Sequence, residues 1–147
     1  MNHRRFAALC IGAALAFAFG MCGTAAAAEI KGAAILDHPC GKVAAKQMGL
    51  AHAGKMDEAN KLTTKEMQDQ WKAMPEKDRA MMTGMMKDMS SSEEEFTRDV
   101  KANGVLVVNG QTATLTVKKT TKDKNGTMTS TTTQNFKLDG GQCLISR

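Results

Sequence analysis

Five methionines, Met81, Met82, Met85, Met86 and Met89, recur at spacings of three and four, so a helix through them brings several thioethers to one face. Thioether sulfur is a soft ligand: it suits Cu(I) and offers little to cations that prefer oxygen. Met82, Met86 and Met89 would supply a three-coordinate site, with His38 or His52 as a nearby companion. The same spacing is also how methionine fills gaps in a core, and Met67 and Met74 continue the stripe at seven-residue steps. Core packing is therefore the expected role of this helix, and Cu(I) binding the competing one.

Other groups that could do chemistry are few. The chain has no Tyr, one Trp and 4% aromatic residues, which excludes any mechanism needing a tyrosine hydroxyl and argues against an aromatic-lined cofactor slot. His52 sits where a first helix should end, a favourable place for a cation against the macrodipole, and His38 precedes Pro39 in a turn. A general base must be held in a pocket within reach of substrate. Asp99, beside Phe96 and Val100, is the one carboxylate with apolar neighbours that approaches this, and its parity is ambiguous. No catalytic residue and no cofactor is expected.

The N-terminus sets the compartment. Arg4 and Arg5 precede an apolar run from Phe6 to Cys22, and Ala26-Ala27-Ala28 meets the small-x-small requirement of signal peptidase. Residues 1–28 read as a secretory signal peptide and residues 29–147 as a single domain, beginning at Glu29. A spanning helix would need ~20 strongly apolar residues, and this run is short and rich in Ala. Lipidation at Cys22 is the rival reading, but Phe19-Gly20-Met21 is a poor lipobox. Cleavage takes Arg4 and Arg5 from the 20 basic residues and leaves all 15 acidic ones, so the mature chain is weakly basic, near +3. Its charge is spread along the chain without the Arg and aromatic clustering of a nucleic-acid surface, and no nucleic-acid partner is expected. A periplasmic or secreted location follows.

Cys10 and Cys22 leave with the signal, and Cys40 and Cys143 remain. Two cysteines in an oxidising compartment point to one disulfide. Two free thiols serving as a catalytic or metal pair would be the alternative, without the CxxC spacing that favours it.

The elements that position these residues come helices first. Asp37-His38-Pro39 opens a helix over Cys40 to Ala53, which Gly54 stops. Met56 to Leu62 is a short helical turn, and Thr63-Thr64-Lys65-Glu66 fits a capping box for a helix through Trp71 and Met74. Pro75 suits the first turn of the methionine helix, Glu76 to Met89. Ser90-Ser91-Ser92 and Glu93-Glu94-Glu95 then end the helical half as a loop or the start of a strand. Phe96, Val100 and Val105 to Val108 read as one bent strand, and Asn109-Gly110 as a hairpin turn. Ala113, Leu115 and Val117 alternate with Thr112, Thr114 and Thr116. A turn over Lys122 to Gly126 leads to a Thr-rich strand through Leu138, and Asp139-Gly140-Gly141 to a last strand, Gln142 to Ser146. Such segregation predicts an α+β domain with helices on one face of a curved antiparallel sheet of about four strands.

This layout resembles the nuclear transport factor 2-like, or cystatin-like, superfamily in its small secreted bacterial form, over nearly all of residues 38–147. Ala51-His52-Ala53-Gly54-Lys55-Met56-Asp57-Glu58-Ala59 looks like the helix-Gly-turn-helix opening of that group. Gly110-Gln111-Thr112-Ala113-Thr114-Leu115-Thr116-Val117 looks like its "G-x-x-A-x-V" strand. Asp139-Gly140-Gly141-Gln142-Cys143-Leu144-Ile145 is similar to its terminal "D-G-x-W-x-I" strand, with Cys143 in the usual Trp place. The resemblance implies a shape shared by isomerases, dehydratases and non-enzymatic binding domains. Its enzymes carry an Asp or His base inside the sheet cone, often with a Tyr donor, and this chain has no Tyr.

Together these readings predict an exported, non-enzymatic binding module that engages a protein partner, such as an envelope hydrolase, as an inhibitor or immunity-type protein. The expected contact surface is the polar strand face, Thr112, Thr114 and Thr116, with the turn at Lys122, Asp123, Lys124 and Asn125. Cu(I) binding by the methionine helix is the alternative from another class.

Overall fold

A computed structural model describes residues 27–124 and 126–147, with Lys122 and Asp123 described by their backbone alone. The expected signal peptide, including Cys22, lies almost wholly outside the described residues. Among the described residues no helix is long and apolar enough to cross a membrane.

Among the described residues the fold is α+β, with an open antiparallel sheet of five strands in the order β1-β2-β3-β4-β5. Strand β1 is Ala28–Lys31, β2 Gly104–Asn109, β3 Thr112–Asp123, β4 Gly126–Asp139 and β5 Gln142–Ser146. β1 is the strand that the sequence pattern hides. It is four residues long and pairs Ile30 with Leu106 at the sheet's edge. A 3-10 turn over Gly32–Leu36 follows, then helices α1 (Pro39–His52), α2 (Met56–Asn60), α3 (Lys65–Ala73), α4 (Glu76–Met89) and α5 (Glu93–Asn103).

Helix α1 begins and ends as its residues dictate. His38 is the N-cap, its Nδ1 accepting from the Cys40 amide at 3.2 Å, and Pro39 supplies the first turn. At the other end Lys55 N–H donates to the Leu50 carbonyl and Gly54 N–H to that of Ala51, a Schellman closure that puts Gly54 at φ 73°.

Two expectations fail at helix starts. Glu93-Glu94-Glu95 is neither a loop nor the start of a strand but the first turn of α5, where carboxylates favour the helix dipole, and Ser92 Oγ accepts from the Glu95 amide at 3.2 Å. Phe96 and Val100 are therefore buried at helical i,i+4 spacing rather than along a strand. The capping box at Thr63 also fails. Thr64 is the N-cap of α3 and makes no side-chain cap, while the buried Thr63 donates its hydroxyl to the Asn60 carbonyl at 2.7 Å. Backbone bonds from Thr64 to Ile145 and from Ile145 to Leu62 dock this segment on β5, which fixes Thr63 for that contact instead.

The turns are legible in glycines. Gly140 and Gly141 both hold positive φ between Asp139 and Gln142, as a mirror-image two-residue turn requires. The first hairpin turns on Gly110 and Gln111, one residue beyond the expected pair, since Asn109 itself pairs with Thr112.

The core lies between the inner sheet face and helices α1 and α5. Leu106, Ala113, Leu115, Val117, Phe136 and Ile145 meet Ile35, Ala44, Ala45, Phe96 and Val100. The Cys40–Cys143 disulfide crosses this layer from the start of α1 to β5, with Cα atoms 5.1 Å apart and both cysteines buried. Helix α4 packs chiefly against α1, on the side away from the core, and none of its 14 residues is buried. The expected core role of its methionines is thus overturned: α1 and α5 already occupy the sheet face.

Candidate functional site

Outside the core, α2, α3 and α4 close around a half-open cavity of about 220 Å³ against α1. Met56 at the start of α2, Met67 in α3, Met74 at the bend between α3 and α4, and Met82 and Met86 in α4 all line it, five thioethers from separate turns of the chain. Each arrives for a local reason. Gly54 turns the chain so that α2 starts at Met56, and Pro75 ends α3 and starts α4, leaving Met74 at the corner. Met82 and Met86 are one helical turn apart and half-buried on the side of α4 that faces the cavity.

Trp71 also lines the cavity and is held by its indole N–H, which donates to Asp57 Oδ1 at 2.7 Å. Gln47, from α1, reaches it while accepting from Gln134 Nε2 at 3.2 Å, which ties the cavity to β4. Asn60, Thr63, Gln70 and Arg147 complete the polar part of the lining. Among the described residues no carboxylate, imidazole or thiolate side chain lines this space, so a hard divalent cation would find only neutral amide and hydroxyl oxygens there, beside the Arg147 guanidinium.

The residues expected to join Met82 and Met86 are placed elsewhere. Met89 is 76% exposed and borders a different hollow, with Met48 and Phe96. His52 Nδ1 lies 2.9 Å from the Ser90 carbonyl, and His38 caps α1, so neither imidazole lines the cavity. Asp99 is on a helix, with Lys119 Nζ 3.7 Å from its Oδ2, which removes the strand-face setting imagined for a base. Displaced titrations occur instead at exposed surface pairs. The hydrogen bond from Lys65 at 2.8 Å lowers the Asp69 carboxyl, and Glu29 beside Lys31 raises that ammonium.

The proposed partner surface is on the outer face of the sheet, which no helix covers among the described residues. Thr112, Thr114 and Thr116 alternate with the buried Ala113, Leu115 and Val117, and Thr114 donates to Asn135 Oδ1 at 3.2 Å across the strands. Lys124 is exposed at the tip of the β3–β4 hairpin, whereas the side chain of Lys122 and all of Asn125 fall outside the described residues. Sequence reasoning missed Met56, Met67, Met74 and Trp71 as site residues. Spacing within one helix finds residues that share a face, but it carries no signal for which helices converge.

No family model, no curated protein and no solved structure matches this chain.

Proposed function

We propose that this chain is an exported, non-catalytic binding module whose ligand is Cu(I), held by thioethers drawn from Met56, Met67, Met74, Met82 and Met86. The observation that carries the reading is the convergence of five methionines on one half-open cavity outside the core. Soft thioether sulfur favours Cu(I), and a lining without carboxylate or imidazole side chains among the described residues disfavours Zn(II), Ca(II) and Mg(II). Core filling was the argument against copper, and α4 fills no core. The disulfide supports an oxidising compartment, and it also keeps Cys40 and Cys143 from offering thiolates that would compete for the metal. Signal cleavage before Glu29 and a nuclear transport factor 2-like scaffold belong to the same proposal, the latter supported by helices packed on one face of an antiparallel meander.

A protein partner is the second reading, favoured by the uncovered threonine face of β3 and β4. Anaerobic titration of Cu(I) against a competing chelator separates the two. The copper reading expects tight one-to-one binding that a Met82→Leu, Met86→Leu variant loses while a Met89→Leu variant keeps it. Binding unaffected by both variants, or no competition with the chelator, overturns it and leaves the threonine face as the surface to pursue.

A further inference from the structure

The opposite side of α4 carries a second, independent feature. Lys77, Met81, Gly84 and Asp88 are spaced four, three and four residues apart, which at 100° per residue places all four on one stripe. All are exposed, as are the flanking Ala80 and Met85, with Met81 at 68% and Met85 at 51%. Met82 and Met86 face the cavity on the other side, so this stripe takes no part in it.

Two facts about the stripe ask for an occupant. A helix stays formed chiefly by burying an apolar face, yet α4 buries no residue and exposes large thioethers. Glycine in a helix interior is costly, yet a Cβ at Gly84 would meet nothing within 4 Å, so nothing inside the molecule requires the small residue.

The stripe is complementary to itself. In an antiparallel pairing with the two-fold axis between Met82 and Thr83, Met81 of one copy stands opposite Gly84 of the other, a long flexible side chain over a notch. Lys77 stands opposite Asp88. By symmetry each match occurs twice, which is the requirement of an isologous interface. Parallel pairing would instead set Lys77 against Lys77 and Asp88 against Asp88.

We propose that α4 is a self-association surface and that its occupant is the α4 of a second copy, packed antiparallel with Met81 seated over Gly84. One helix pair is a small interface beside the ~800 Å² per partner of standard complexes, so the dimer is a weak, reversible one.

Sedimentation equilibrium of the secreted chain over a wide concentration range tests this, with circular dichroism to confirm that each variant is folded. The wild type should show a concentration-dependent monomer–dimer equilibrium. Lys77→Asp or Asp88→Lys alone creates two like-charge contacts and should lower the association constant roughly tenfold. The double swap, Lys77→Asp with Asp88→Lys, restores opposite charges and should restore association. Both charges are exposed in the monomer, so the swaps leave its core untouched. A wild type that stays monomeric at every concentration, or a double swap as weak as the single ones, overturns the proposal.

Discussion

Replacing Cys40 and Cys143 together by alanine removes a cross-link between residues 103 apart in sequence. In the chain-entropy description, a loop of that size restrains the unfolded chain by ~4.7 kcal/mol, an upper-end figure. Both cysteines are buried in the core between α1 and β5, so each alanine also gives up packing around a sulfur. Against a typical total of about 5–15 kcal/mol for a domain, the loss takes a large fraction of the stability. With a urea slope of about 2 kcal/mol per molar, the midpoint should fall by roughly 2 M. The assay is equilibrium urea unfolding followed by fluorescence of Trp71, the single tryptophan, and by far-UV circular dichroism. Coincident transitions would establish that one free energy describes both probes. A loss below about 1 kcal/mol would refute the reasoning, because the cross-link would then not be restraining the unfolded chain across that loop.

Other substitutions probe how the cavity and its supports are held. Gly41→Ala should destabilise the domain by about 3 kcal/mol or more, since its Cβ would lie 1.9 Å from the Ile35 carbonyl oxygen and backbone must shift to admit it; thermal unfolding measures this. Ser92→Ala should cost about 1 kcal/mol by removing the α5 cap, and an unchanged midpoint would contradict the helical assignment of Glu93–Glu95. Trp71→Phe should cost about 1 kcal/mol through loss of the indole bond to Asp57, with Asp57→Asn costing less because the amide oxygen still accepts. Mass spectrometry of the chain expressed with its native N-terminus should find Glu29 as the first residue, and retention of residues 1–28 would remove the argument for export.

The fold was legible where one residue type has one physical use. Cys40 and Cys143 were the two cysteines left in a chain read as exported, and their pairing needed no tertiary information. Gly54, Gly110 and the Gly140-Gly141 pair marked chain reversals because they hold positive φ. Ambiguity entered where one pattern serves two structures. Phe96 and Val100 are four apart, which fits a helix and also fits every second residue of a strand, and the valines at 105, 107 and 108 pulled the reading toward strand. Ser92 and the three glutamates were the deciding signal, a cap followed by a first turn that favours negative charge. Strand β1 escaped because four residues after a run of alanines show no alternation long enough to recognise.

The cavity was half legible for a related reason. Periodicity placed Met82 and Met86 on one face of α4, but Met89, one turn on, passes beyond the cavity's edge. Periodicity also says nothing of what covers a face. An apolar stripe that reads as core becomes a second-layer surface when two other helices take the sheet, as α1 and α5 do here. Met56 and Met67 reach the cavity from helices whose packing depends on Thr63 docking at Ile145, a contact between residues far apart in sequence.

The most direct test of the copper assignment is X-ray absorption at the copper edge on the anaerobic one-to-one complex of residues 29–147. The account predicts a first shell of sulfur without nitrogen, since the five thioethers line the cavity and the imidazoles of His38 and His52 lie elsewhere. A shell dominated by nitrogen or oxygen, or a chain that does not retain Cu(I) at all, would contradict it.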